Sequence, residues 1–232
     1  MKTMILLLLA LLTTQSSPAP PYRSLDQANL LACHVSDDEC LGREFALRKD
    51  ADQGVRRASD AELGCQEGDQ TCLAAAWKRV DDDNFSRLRS IVTARGWPPL
   101  KGEAAQGAWL IAQHANPSPG SPSRAFRDMV LPMVRSEVRA GRLMPQDYAR
   151  MVDRNALAEG QHQPFGTNRP CRDGRFDRSS IDSVDAVDQR RREIGMDILL
   201  RESLSLFDSL CKREAPSGAA QTLAAPSRLP SP

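Results

Sequence analysis

Apolar residues recur every three or four positions along most of the chain, the spacing that predicts amphipathic helices. Stripes of this kind begin near Leu41, Phe85, Phe126, Tyr148 and Leu200. Strict alternation of apolar and polar residues, which would indicate half-buried strands, is almost absent. The pattern therefore predicts an all-α fold, a single compact multi-helix domain with almost no strand.

The segment GWPPLKGEAAQGAWLIAQHA, residues 96–115, joins a turn to a helix that carries almost no charge. Gly96 and the prolines that follow it are suited to ending the preceding helix. From Glu103 the segment is apolar on most of its circumference, which predicts a buried central helix. This helix ends on the polar pair Gln113 and His114.

Two local expectations concern acidic residues. The run Asp81–Asp83 precedes an apolar stripe, and this position favours Asp83 as a helix N-cap over a calcium ligand. Arg48 and Asp52 lie one helical turn apart, so the simplest interpretation of both is a local ion pair.

The first residues have the pattern of an export signal, with Lys2 before the apolar run Ile5–Leu12 and a small-x-small site at residues 14–16. We therefore predict a protein that is exported, to a periplasm or to the medium. The predicted divisions are a signal peptide at 1–16, a Pro-rich leader and linker at 17–32, a helical domain at 33–212 and a disordered tail at 213–232.

Six cysteines in an exported chain favour three disulfides over a metal site. Cys33/Cys40 and Cys65/Cys72 share the spacing C-x6-C, which lacks the short separation typical of zinc ligands. That leaves Cys171 with Cys211, although six cysteines allow 15 arrangements and sequence alone cannot choose among them.

A 32-residue offset relates two segments of the chain, and each copy is predicted to be a disulfide-closed turn that leads into a helix. Two copies are too few for a solenoid, and chance similarity between two amphipathic helices remains an alternative. The residues Cys33, Cys40, Leu41, Phe45 and Asp52 recur as Cys65, Cys72, Leu73, Trp77 and Asn84.

Charge excludes some classes of partner. Removing the signal peptide would leave 30 basic and 30 acidic residues, and this balance argues against binding to nucleic acid or to an anionic membrane. The chain carries no dinucleotide fingerprint, P-loop or zinc-protease motif. We predict no cofactor, no bound metal and no membrane span after signal cleavage.

His114 is the first candidate for chemistry, because an imidazole titrates near neutral pH and can act as a general base or bind a ligand. A buried histidine bonded to backbone is the structural alternative. Asp153 and Arg154 are adjacent in a helix and must point in different directions. Residues 163–167 form a loop whose Gly166 permits close backbone approach; it could bind an anion or simply turn the chain.

A series of short motifs runs through most of the chain in order: DQxxR at 52–56, GWP at 96–98, AWLIAQHA at 108–115, DR at 153–154, GxxQxFGT at 160–167 and VDxRRxxIG at 187–195. Together they resemble a widespread bacterial family that is catalogued as a domain of unknown function, DUF6624. The resemblance implies one helical domain and supplies no activity. The cysteine pairs, the export signal and Phe165, where a tyrosine is expected, depart from that family.

The resemblance adds weight to the polar residues within the matched motifs. The candidate catalytic residues are His114, Asp153 and Asp52. The candidate binding residues are Gln113, Arg56, Arg154, Gln163 and Thr167.

Three hypotheses for function follow. The favoured one is a site around His114 that binds a polar or anionic ligand or a protein partner. The alternative is a metal-independent hydrolase or lyase, in which His114 is the general base and Asp153 or Asp52 orients it. The third is a purely structural role for these polar residues.

Overall fold

The computed structural model describes residues 22–214, and within this range the all-α prediction is confirmed. Two very short strands form an antiparallel hairpin, and nearly all the remaining regular structure is helical. In chain order the elements are α1 (Arg23–Leu30), α2 (Asp38–Arg57), α3 (Gln70–Arg95), α4 (Gly102–His114), α5 (Pro122–Arg139), α6 (Pro145–Ala158), β1 (Cys171–Arg172), β2 (Arg175–Phe176), a 3-10 turn (Arg178–Ser180), α7 (Val184–Glu193) and α8 (Leu200–Glu214).

The helical domain begins earlier than the sequence pattern predicts. Residues 17–32 were predicted to be a leader and linker, but α1 lies within them, and its Leu25 and Ala28 are buried. Leu25 packs into a small cluster with Ala51 and Val55 of α2. Two buried positions make a stripe too short to stand out in the sequence. The predicted signal peptide and nearly all of the predicted tail lie outside the described residues.

α2 and α3 begin in the same way, 32 residues apart. Asp37 accepts a hydrogen bond from the backbone N–H of Cys40 at 2.9 Å, and Asp69 accepts one from Cys72 at 3.0 Å. Each of these cysteines is joined to the cysteine seven residues before it. The sequence repeat therefore corresponds to a repeated helix start, in which a disulfide holds the capping turn in place.

The prediction that Asp83 caps a helix is wrong. α3 already begins at Gln70, so Asp83 lies near its middle. The Asp83 carboxylate accepts a hydrogen bond from Arg48 of α2 at 2.7 Å. The first half of α3 is largely exposed, so no continuous apolar stripe marks the start of this helix in the sequence.

α4 is the buried central helix that the sequence predicts, and it contacts α2, α3, α5 and α6. Gly107 lies where α4 crosses α2, and a Cβ atom at this position would come within 2.2 Å of the carbonyl oxygen of Phe45. Only glycine permits so close an approach. The packing therefore fixes the C-terminal end of α4, which carries His114, at the junction of several helices.

All six cysteines form disulfides, with the pairing that their spacing favours. The Cys171–Cys211 disulfide joins β1 to α8 across 40 residues of sequence. A loop of this length stabilises the fold by roughly 3–4 kcal/mol in the chain-entropy treatment. Between residues 22 and 214, no helix combines the length and the apolar character that crossing a membrane requires.

Candidate functional site

His114, the last residue of α4, forms a hydrogen bond with a buried carboxylate. Its Nδ1 lies 2.7 Å from Oδ1 of Asp52 in α2. A carboxylate can only accept, so Nδ1 carries the proton and donates it. The Asp52 side chain is 1% exposed and the His114 side chain is 19% exposed. His114 thus connects a buried charge to the surface, and its Nε2 has no hydrogen-bond partner among residues 22–214.

Arg56 links two carboxylates beside His114. It donates to Oδ1 of Asp52 at 2.8 Å and to both carboxylate oxygens of Asp81 in α3, at 2.8 and 2.9 Å. The second oxygen of Asp52 accepts from Gln53. The predicted Arg48–Asp52 ion pair is wrong, because Arg48 instead bonds Glu44 one turn earlier. Asp52 is therefore held by His114, Arg56 and Gln53.

The four residues Asp52, Arg56, Asp81 and His114 form what we call the His114 cluster. Ligand atoms of its two carboxylates and its imidazole lie within 4.8 Å of one another, a separation at which they could hold a metal ion. The Arg56 guanidinium, however, already donates to both carboxylates. A metal would have to compete with this built-in positive charge, so the donor set fits a cation poorly.

Arg127 of α5 holds the end of α4 that carries His114. Its side chain is fully buried, and its guanidinium donates to the carbonyl oxygens of Ala112 and Gln113 at 2.8 and 2.7 Å. These carbonyls belong to the last turn of α4, where no intrahelical partner exists. Burial lowers the pKa of Arg127 to about 9, and the positive charges of Arg154 and Arg124 add to this effect. Arg127 thereby fixes the position of His114.

Sequence reasoning missed both Asp81 and Arg127. Asp81 was attributed to helix capping, and its contact with Arg56 joins residues far apart in sequence. A signal for Arg127 was present, since it lies at helical spacing from the buried Val130 and Val134. A charged residue within a buried stripe indicates a buried partner.

Arg154 of α6 is partly buried beside the His114 cluster, and no hydrogen bond or ion pair to its side chain is found among residues 22–214. Burial lowers its pKa, and the positive charge of Arg56 lowers it further, whereas the charge of Asp81 raises it. Arg154 lies one turn after Met151, whose carbonyl oxygen accepts from Arg127 at 3.2 Å, and its charge lowers the pKa of Arg127. Arg56 and Arg127, in contrast, are both engaged by protein acceptors.

The backbone of Gln113 has a clearer role in the site than its side chain does. Its carbonyl oxygen accepts from Arg127, whereas its side-chain Oε1 is buried and accepts no hydrogen bond from the described residues. Gln106 and Trp109, seven and four residues earlier on α4, both donate to Asp147 of α6. Gln113 continues the face of α4 that contacts α6, the helix that carries Arg154.

A cleft of about 400 Å³ opens beside His114. One wall is a face of α3, and the other is formed by the end of α4, the loop after it and the start of α5. The residues that line it are Ala74, Trp77, Lys78, Asp81, Asp82, Phe85, His114, Ala115, Asn116 and Ser123. His114 and Asp81 are the two members of the His114 cluster that face this space.

Asp153, Gln163 and Thr167 were predicted to lie near His114, but the structure gives them a separate network, which we call the loop network. Asp153 is fully buried and accepts from the backbone N–H groups of Phe165 and Thr167 at 2.8 and 2.6 Å, and from the Thr167 hydroxyl at 2.7 Å. Burial raises the pKa of Asp153, although these donors and Arg191 oppose the rise.

Two arginines of α7 complete the loop network. Arg190 donates to the carbonyl oxygen of Pro164, and Arg191 donates to those of Phe165 and Gly166. Gln163 is likewise buried and bonded to Ser180. Backbone N–H and carbonyl groups of the loop thus already have hydrogen-bond partners in the protein. This leaves the loop poorly suited to binding an anion.

The structure therefore brings Asp52, Arg56 and His114 together with Arg154 close by, and assigns Asp153, Gln163 and Thr167 to a different network. No curated protein and no solved structure matches the chain. The sequence model of one family, described as a family of unknown function, matches residues 40–211, which is most of the chain. The protein belongs to the DUF6624 family.

Proposed function

We propose that the protein binds a small anionic ligand, a carboxylate or a phosphate, through Arg154 at the edge of the His114 cluster. The observation that carries this proposal is the partly buried Arg154 guanidinium, which lacks a partner in the described part of the chain. Partial burial of an unpaired charge is unfavourable. A guanidinium presents a planar set of donors that matches carboxylate and phosphate oxygens.

The surrounding charges support an anion at this position. Arg56 is engaged by Asp52 and Asp81, and Arg127 is engaged by backbone carbonyls. Neither can neutralise Arg154, and both repel it, since Arg56 lowers the Arg154 pKa and Arg154 lowers that of Arg127. A bound anion would remove this repulsion.

Calorimetric titration of the wild-type protein with inorganic phosphate and with acetate, at low salt, tests the proposal. We expect Arg154→Met to weaken binding of the ligand that the wild type prefers by at least about tenfold, because a charged hydrogen bond is lost. Arg57→Met is the matched control, since it removes one exposed positive charge from the end of α2. Equal effects of both variants, or no binding of either anion to the wild type, would contradict the proposal.

A second candidate function, general-base catalysis by a hydrolase or lyase, has one specific observation in its favour. His114 Nδ1 is 2.7 Å from the buried Asp52 carboxylate, and the imidazole lines the cleft. A carboxylate in this position holds a histidine in the tautomer whose Nε2 can accept a proton. Nitrogen NMR of the imidazole tests this directly: a neutral His114 that carries its proton on Nε2 rules out the general-base role.

Export also stays a proposal. Three disulfides are typical of proteins that fold in an oxidising compartment, in agreement with the pattern at residues 1–16. A periplasmic or extracellular location would place the site in contact with ligands outside the cytoplasm. N-terminal sequencing of the protein recovered outside the cytoplasm tests export and locates the cleavage site.

A further inference from the structure

We propose that the anionic ligand is an acidic sugar, whose ring packs on Trp77 while its carboxylate lies at the His114 end of the cleft. This inference rests on the proposed function, because it names the ligand class of the same site. It is carried by the position of Trp77 and by the polar groups that face it.

Trp77 presents a fixed apolar surface to the cleft. Its side chain is 39% exposed, although tryptophan is usually among the more buried residues. The indole N–H donates to the carbonyl oxygen of Val55 at 3.2 Å, which anchors one edge of the ring. Phe85, two turns further along the same face of α3, packs edge-on against Phe126 with ring centres 5.3 Å apart. The apolar part of the wall is therefore held in place before any ligand binds.

The 32-residue repeat allows the burial of Trp77 to be compared with that of its counterpart in α2. Phe45 occupies the equivalent position in α2, and it is fully buried, with α4 packed over it at Gly107. Trp77 is instead 39% exposed and lines the cleft. A ligand ring that packs on the indole would cover this surface.

The rest of the lining has hydrogen-bonding groups suited to hydroxyls. Asp82, Asn116 and Ser123 line the cleft opposite or beside Trp77. Asp82 also pairs with Lys78, and Asn116 accepts from the backbone N–H of Ser118. A sugar ring has C–H faces that pack on an aromatic side chain and hydroxyl edges that can add hydrogen bonds to such groups, which a purely aromatic ring lacks. A volume of about 400 Å³ lies within the range of small-molecule sites.

The carboxylate of the proposed ligand would lie at one end of the cleft. His114 and Asp81 line the cleft. Arg127 donates to the carbonyl oxygens of both Gln113 in α4 and Met151 in α6. Arg154, one turn after Met151, therefore lies near the end of α4 that carries His114. A ring that carries a carboxylate could contact Trp77 with its face and this end with its charge.

Calorimetric titration with D-glucuronate, D-glucose and acetate tests the inference, with Trp77→Ala and Trp77→Phe as variants. We expect glucuronate to bind the wild type more tightly than acetate or glucose does. Trp77→Ala should raise the Kd for glucuronate by about tenfold and leave the Kd for acetate unchanged. Trp77→Phe keeps an aromatic face and should retain most of the affinity. Leu30→Ala, which truncates an apolar side chain that is 82% exposed, is the control.

The outcomes separate this inference from the proposed function. Acetate that binds as tightly as glucuronate, or a Trp77→Ala effect that is equal for both ligands, would overturn the sugar assignment and leave anion binding intact. Failure of both phosphate and acetate to bind the wild-type protein would overturn the proposed function, and with it the sugar assignment that rests on it. Melting curves of each variant confirm that the titrations are made on folded protein.

Discussion

Arg191 and Arg154 are similar residues in different surroundings. Both lie on helices, and burial lowers the pKa of both. Arg191 donates to three backbone carbonyls, those of Phe165, Gly166 and Ile198, whereas Arg154 has no acceptor in the described range. The loop network is closed within the protein, whereas the Arg154 guanidinium is opposed only by the nearby charge of Asp81 and donates to no acceptor among residues 22–214.

The two buried aspartates differ in the same way. Asp153 is held by backbone N–H groups and a hydroxyl within the loop network. Asp52 is held by the side chains of His114, Arg56 and Gln53. Of these, His114 also lines the cleft. Burial and polarity alone therefore do not distinguish the two networks. They differ in whether the network ends inside the protein or at an accessible surface.

The largest effect expected is on stability, from Arg191→Met. The change leaves three carbonyl acceptors of Arg191 without their donor, and each unsatisfied buried group costs about 1–3 kcal/mol. We expect the free energy of unfolding in urea to fall by about 3–5 kcal/mol. Arg192→Met, at the exposed next position, is the matched control and should change it by less than about 0.5 kcal/mol. A loss below about 1 kcal/mol for Arg191→Met would show that the loop network is not closed in the way described.

A smaller loss is expected from Asp153→Asn. One amide oxygen can still accept from the loop, but the amide NH₂ group replaces the oxygen that accepts from the N–H and hydroxyl of Thr167. We expect about 2–3 kcal/mol of destabilisation in the same urea measurement. Binding of phosphate or acetate should be unchanged in the folded variant. Loss of anion binding without loss of stability would place Asp153 in the proposed anion site.

Arg154→Met should change stability least among these substitutions. It removes a partly buried charge that has no partner in residues 22–214 and keeps an apolar chain of similar length. We expect the free energy of unfolding to stay within about 1 kcal/mol of the wild-type value, in the stabilising direction. Urea denaturation of Arg154→Met and Arg191→Met under the same conditions compares their free energies of unfolding directly. Equal destabilisation by the two variants would mean that Arg154 is as structural as Arg191.

Much of the fold could be predicted from local patterns. The apolar spacing identified the buried α4, and the cysteine spacing identified the favoured pairing. Asp153 and Arg154, adjacent in α6, have different surroundings: Asp153 accepts from the loop network, whereas Arg154 has no hydrogen-bond partner in the described range. These features depend on residues that are close in sequence or on a single repeated interval.

The site was predicted only in part, because its contacts join distant residues. His114 and Asp52 were both candidates, but their pairing spans 62 residues of sequence. Asp81 could not be placed beside Arg56 without knowing how α2 packs on α3. The same limit explains the wrong grouping of Gln163 and Thr167 with His114: the sequence shows that a loop is polar, but not which side chains already satisfy it.

The smallest expected effect is on how stability depends on pH, and it involves the loop network alone. Burial raises the pKa of Asp153 in the folded protein above its ordinary value of 3.8, so the folded state holds a proton that the unfolded state releases at lower pH. The stability from protonated Asp153 is therefore fully present below about pH 3.8 and is lost as the pH rises through the raised pKa. Subtracting the unfolding free energy of Asp153→Asn from that of the wild type, at each pH, removes the contribution of every other group. This difference should fall with rising pH above 3.8. A difference that rises instead would mean that the loop donors outweigh burial, and that the carboxylate of Asp153 is stabilised, not penalised, by its closed surroundings.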